Sequence, residues 1–247
     1  MVGWIDWTDG RKPAITRVMV QGLPLLRAEL PRPRRGGARA LKRTVRRGAK
    51  LLRREGCRRV LAEPDFAFWP ELTQAGLQPV EPEPLLQAMA EPLALAGLQM
   101  QAIPAAQATV ALRGEWVSQS FLRCAERLCP AVRTLIVSAP KGGEALRGHL
   151  WRDFGAPVLE GDTTVRADLA LCFSPGWERE REARLALYTG GMDLRGLCVC
   201  PREAVLPEGL DPLPALTLLW EEGLLQPEAL EIRRMREIPA GERLSTF

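Results

Sequence analysis

The run Ala108-Thr109-Val110-Ala111-Leu112 begins a pattern that carries through to Ser174. It passes Gly114 into a helical pattern, then Thr134-Leu135-Ile136-Val137-Ser138, then a second helical pattern. Pro157-Val158-Leu159 and Ala167-Asp168-Leu169-Ala170-Leu171-Cys172-Phe173-Ser174 complete it. Val117, Phe121, Ala125 and Leu128 fall on one face of the first predicted helix, and Leu146, Leu150 and Phe154 on one face of the second. The extended runs are apolar on both faces. That is the pattern of strands buried between helix layers in a parallel sheet. The stretch therefore reads β-α-β-α-β-β.

Only residues 161–167 join the third and fourth runs. Seven extended residues reach roughly 23 Å, and crossing three strand spacings needs about 14 Å. The link suits the 3-2-1-4 strand order of a Rossmann sheet and is too short for a full helix. The fold class expected is α/β: a Rossmann-like parallel sheet with helices on both faces, over 105–200. A smaller α/β lobe with an N-terminal β-hairpin precedes it over 1–80. A helical junction at 81–104 and a C-terminal segment at 201–247 that packs back complete the division.

Ligands of open α/β sheets sit at the carboxyl ends of the strands. Here those ends offer Gly114, Ser138, Lys141, Gly142, Gly143, Asp162 and Thr163 as candidates for a bound cofactor or small anion. The layout of 108–174 resembles the cofactor domain of shikimate-dehydrogenase-like and other NAD(P)-dependent oxidoreductases. The resemblance is one of layout and implies an NAD(P) cofactor; Lys141 is the residue placed to face a phosphate in its NADP version. The motif departs from it. Against Gly-x-Gly-x-x-Gly only Gly114 fits, and Trp116 and Gln119 stand at the other two glycine positions. An indole at the second glycine obstructs the approach of a pyrophosphate. Ser138 and Ala139 stand where an acid would hold the ribose hydroxyls. Gly142-Gly143 open a helix whose N–H groups favour anions; Pro140 to Gly143 also reads as a plain surface turn, and Gly161-Asp162-Thr163 as another.

Before this stretch, Trp4 to Trp7 and Ile15 to Val20 read as strands. Asp9-Gly10 between them is a tight-turn signal, so these two are expected to pair as the hairpin. Leu23 to Leu30 adds an extended segment, Gly36 to Glu55 a helix, and Arg58 to Glu63 a strand. Phe66 to Leu77 and Leu85 to Leu98 are helical, the latter with a break near Pro92. After the stretch, Trp177 to Leu187 reads as a helix with Glu180 and Arg184 paired at i,i+4. Leu194 to Cys200 reads as a fifth strand and Leu216 to Leu225 as a helix; Leu230 to Ile238 is left open between strand and helix.

Charge is divided unevenly. Residues 1–59 hold 17 Lys+Arg against 4 Asp+Glu, and residues 60–247 hold 17 against 26. Arg39, Lys42, Arg43, Arg46, Arg47, Lys50, Arg53 and Arg54 crowd the helix of 36–55, whose apolar positions are Leu41, Val45, Ala49 and Leu52. Such a face binds nucleic acid or another anionic partner electrostatically, or is simply solvated. No aromatic residues are interleaved for base stacking.

Other chemistries find little support. Cys57, Cys124, Cys129, Cys172, Cys198 and Cys200 form no Cys-x-x-Cys pair, and His149 is the one histidine, so no metal set is expected. Neither a Gly-x-Ser-x-Gly elbow nor a P-loop occurs, and no catalytic residue is assigned. Glu81 and Glu83 read as solvated. The first residues lack a basic segment before an apolar core, and no apolar run reaches a membrane span; a cytoplasmic protein is expected. Three functions follow. One is a non-catalytic protein, or one binding an anionic small molecule, on a degenerate Rossmann-like scaffold. Another is an NADP-dependent oxidoreductase with an atypical phosphate loop. The third is association with nucleic acid or an anionic partner through 36–55. The sequence names no cofactor and no partner.

Overall fold

A computed structural model of the chain describes all residues except 11, 33–36, 178–182, 204 and 236–247. Two compact units result: residues 1–82 with 200–230, and residues 83–199 with 231–235.

The first unit opens with β1 (Val2–Thr8), β2 (Ala14–Val20), β3 (Leu23–Pro31), α1 (Gly37–Arg54), β4 (Arg59–Leu61), α2 (Trp69–Gln74) and β5 (Gln78–Pro79). The sheet order is β2-β3-β1-β4-β5. The N-terminal hairpin is present, but β2 and β3 make it, antiparallel, with Val20 opposite Leu23. Its turn residues Gln21 and Gly22 sit at φ 49° and 85°, the twist that matches hairpin strands. β1 instead pairs in parallel with both β3 and β4. The Asp9-Gly10 turn signal is local, and the apolar β1, buried at Val2, Trp4 and Ile5, takes an interior place in the sheet.

Alternation sorts the side chains of this sheet into two faces. Ile5, Leu26, Ala28, Leu30 and Val60 pack against Val45, Ala49 and Leu52 of α1 and Leu72 of α2. Val2, Trp4, Leu25 and Leu61 pack against Ala215, Leu218 and Leu219 of a later helix. The inner stripe of α1 is thus Val45, Gly48, Ala49 and Leu52, and it fixes which residues of that helix face water.

The second unit contains α3 (Glu83–Ala88), α4 (Ala90–Met100), β6 (Thr109–Arg113), α5 (Gln119–Leu128), β7 (Thr134–Ser138), α6 (Gly143–Phe154), β8 (Val158–Glu160), β9 (Leu169–Cys172) and β10 (Arg184–Ala186). Its sheet is ordered β10-β9-β6-β7-β8 and is parallel throughout. Counted from β6, the first four strands stand 3-2-1-4, the Rossmann arrangement. It is a parallel sheet flanked by helices.

Among the described residues of 177–187, the expected helix gives way to a strand. Arg184 to Ala186 form β10 on the free edge of β9; Glu180 and its pairing lie outside the described residues. A three-residue strand carries no readable period, and the charges around it imitate a helix face. β11 (Leu197–Pro201) does not join the parallel sheet but pairs with β12 (Leu230–Arg234). Between them α7 (Pro212–Glu221) starts four residues before the helix expected at Leu216, with Asp211 as its cap and Pro212 in its first turn.

Candidate functional site

In the second unit the loops after β6, β7, β9 and β10 form the carboxyl edge where an open sheet takes its ligand. Each is fastened to a neighbour. The amide of Gly114 donates to the Ser138 carbonyl at 2.9 Å, that of Val117 to the Lys141 carbonyl at 3.0 Å, and that of Lys141 to the Glu115 carbonyl at 3.3 Å. Trp116 and Lys141 therefore form a parallel bridge that continues the sheet beyond β6 and β7. On the other side, the Glu115 amide donates to Ser174 Oγ at 2.9 Å. From α3, Gln87 Nε2 donates to the carbonyls of Phe173 and Leu187 at 3.3 and 3.4 Å. Glu83, expected to be solvated, accepts the Thr189 amide at 2.7 Å and holds Gln87 Nε2 at 3.0 Å.

The sequence candidates distribute across this edge unequally. Gly114, Ser138 and Lys141 are brought together by the main-chain bonds above. The Lys141 ammonium pairs with Glu115 Oε1 at 3.0 Å, both groups well exposed. Gly142 caps α6 at φ 88°, and the buried Gly143 donates its amide to the Ala139 carbonyl at 3.1 Å. Asp162 stands exposed in the loop after β8, while Thr163 turns its hydroxyl to the Val165 amide at 3.2 Å. Gly161 presses on the edge: a Cβ there would lie 2.2 Å from Ser138 Oγ, so only glycine fits without displacing the serine. The indole of Trp116 is 53% exposed, and its backbone makes the bridge.

One residue of this edge escaped the sequence reading. Arg113 ends β6 and is only 2% exposed, with Nη1 donating to Ser138 Oγ at 3.3 Å. Alternation places it on the face of Ala111, in line with Ser138 and Cys172. A buried guanidinium at a ligand edge is the kind of group that binding sites use. Its only signal in sequence was an arginine at the end of an otherwise apolar strand.

His149 is not at this edge. Its Nε2 meets Glu126 Oε1 at 2.8 Å and its Nδ1 meets Asp153 Oδ2 at 3.0 Å, in the later turns of α5 and α6. In a β-α-β crossover the helices run back against the strands, so those turns lie toward the amino ends of the sheet. All six cysteines are buried and outside any disulfide. Burial pushes the Cys124 thiol far above its ordinary range, and those of Cys57 and Cys129 upward as well. A thiol held protonated is a poor nucleophile. Among the described residues no cluster of His, Cys, Asp or Glu is arranged to hold a metal, and no helix is long and apolar enough to cross a membrane.

The first unit carries the other candidate surface. On α1, Arg39, Lys42, Arg43, Arg46, Arg47, Lys50, Arg53 and Arg54 are all exposed. Three turn toward the protein. Lys42 and Arg46 reach the buried carboxylate of Glu71 at 3.2 and 3.9 Å, and Arg53 Nη1 donates to the Cys57 carbonyl at 3.0 Å.

No protein-family model matches the sequence, and no curated protein does. Solved structures similar in part include L-tryptophan dehydrogenase from Nostoc punctiforme, at 17% identity and TM-score 0.30, covering 60% of this chain and 44% of that one. They also include a chorismate mutase/shikimate 5-dehydrogenase fusion protein from Clostridium acetobutylicum, at 9% identity and TM-score 0.23, covering 70% of this chain and 67% of that one. The chain spans less than half the length of the tryptophan dehydrogenase.

Proposed function

We propose that the Rossmann-like unit is a closed, non-catalytic scaffold that does not take a dinucleotide. The observation that carries this is the bridge between Trp116 and Lys141. A dinucleotide lays its pyrophosphate against the first β-α turn, where backbone amides stay available to it. Here the amides of Gly114 and Val117 are spent on the neighbouring loop, and Glu115 sets a carboxylate against Lys141. The oxidoreductase reading needs Lys141 to meet a phosphate, and Glu115 already competes for that role. A cytoplasmic location accords with six buried thiols serving as small apolar side chains.

Thermal unfolding tests the proposal, with NAD(H), NADP(H), ATP, S-adenosylmethionine and inorganic phosphate each added in turn. A ligand at about a hundred times its Kd stabilises a protein by about 2.7 kcal/mol. For a chain of this size that raises Tm by roughly 5–10 °C. The expected result is no shift beyond about 1 °C, well below that linkage figure. A rise of several degrees with any nucleotide overturns the proposal. A rise with phosphate alone overturns it in favour of a small-anion site at Lys141 to Gly143.

A further inference from the structure

The eight cations of α1 divide into two sets. Lys42, Arg46 and Arg53 are engaged by the protein. Arg39, Arg43, Arg47, Lys50 and Arg54 have no acidic partner among the described residues. These five follow one another at intervals of four, four, three and four, the spacing of a single helix face. The row runs about 22 Å along the axis, with a cation every 4.5–6 Å. Val45, Gly48, Ala49 and Leu52 hold the opposite side of the helix against the sheet, so the row points to water.

The arrangement is costly to the helix. Like charges at i,i+3 and i,i+4 repel, and α1 contains no acidic residue to relieve them. A general preference for arginine does not account for it, because residues 60–247 hold 26 Asp+Glu against 17 Lys+Arg. Exposed helix faces ordinarily mix signs. A row kept positive along its whole length suits a partner that is negative along its whole length.

We infer that the Arg39–Arg54 face of α1 is an interaction surface for the phosphodiester backbone of duplex nucleic acid. Four of the five cations are guanidinium groups, which grip phosphate oxygens in pairs. The row is held stiff by its helix, and a duplex is likewise stiff over that length. No aromatic residue lies on α1 to stack a base, so unpaired strands have less to bind and sequence is not read. A membrane surface fits less well. Interfacial helices bury an apolar face in lipid, and the apolar face of α1 is already covered by the sheet. This inference concerns the first unit and does not depend on the closed edge of the second.

The test uses the full chain and a fluorescein-labelled 24-base-pair DNA of arbitrary sequence, followed by anisotropy between 50 and 200 mM NaCl. Five phosphate contacts give a log–log salt slope of up to about −4.5. Arg43→Gln with Arg47→Gln and Lys50→Gln shortens the slope by about 3 and weakens binding at least tenfold at 50 mM salt. Lys42→Gln with Arg46→Gln shortens it by less than about 1. A thermal melt of the triple variant no lower than that of the parent chain shows that the loss is not unfolding. Absence of binding at 50 mM salt overturns the inference, as does a triple variant with the parent's slope. Stronger, equally variant-sensitive binding to phosphatidylcholine vesicles containing phosphatidylserine overturns it in favour of a membrane surface.

Discussion

The carboxyl edge of β6 and β7 and the outer face of α1 dispose of positive charge in opposite ways. At the edge, Lys141 is answered by Glu115, and Arg113 is buried against Ser138. Along α1, among the described residues, the side turned to α2 is answered by Glu71, and the outer row has no acidic partner. The edge carries the layout associated with ligand binding, and its loops bond to one another through their main chains. The helix belongs to no recognised reader, yet it holds the unanswered charge. Layout shows where a fold offers a site; the state of its polar groups shows whether the site is still offered.

Changes that open the edge should have the largest effect. Phe121 is fully buried beneath Gly114, with its ring 4.8 Å from that of Phe173. Phe121→Ala is expected to cost about 3–5 kcal/mol in denaturant unfolding; a cost under about 1 kcal/mol, far short of that range, shows that the edge is not held by its core. Gly161→Val drives a side chain into Ser138 and should cost about 1–3 kcal/mol. An unchanged melt for that variant means the loop after β8 does not bear on the edge.

The two sides of α1 can be exchanged by one substitution. Glu71→Gln removes the carboxylate shared by Lys42 and Arg46. Because both partners are exposed, the loss is expected to be only about 1 kcal/mol. Duplex binding should gain a salt slope steeper by about 1 for each released cation that reaches a phosphate. Weaker binding would break the distinction between the answered and unanswered sides.

Asp211 is a charge the first unit holds against its preference. Burial, and to a lesser degree Asp65, raise its pKa, while the Leu213 amide it caps lowers it. The folded state then keeps the proton to higher pH than the unfolded chain does. The stability linked to this group is complete at low pH and is lost as pH climbs out of the ordinary carboxylate range. Asp211→Asn keeps the cap and should flatten that decline; an identical pH profile for the variant counts against it. The smallest effect belongs to Lys141→Ala, an exposed pair whose removal should change stability by less than about 0.5 kcal/mol. A larger loss would make the lysine part of the closure.

Much of the second sheet was legible, because strands apolar on both faces and a seven-residue link leave few topologies. The hairpin was misplaced by one strand, since Asp9-Gly10 describes a local bend and not which strand comes to lie beside it. β10 was hidden because Arg184-Leu185-Ala186 is too short to show alternation. At the site, Trp116 and Gln119 in place of the fingerprint glycines could be read directly. The pairing of Lys141 with Glu115 and the burial of Arg113 could not, because each depends on which loop ends meet in space.

The bridge of Trp116 and Lys141 is made of peptide groups, and peptide groups are the same in every residue except proline. Side-chain replacements along 114–118, proline excepted, should therefore leave these main-chain bonds in place. Glycine at positions 116 and 119 would complete the fingerprint and should leave the main-chain bridge in place. Insertion or deletion is the effective change there, since one residue more or fewer shifts both loops out of step. On the proposed reading, an open and a closed Rossmann edge differ here by loop length before they differ by composition.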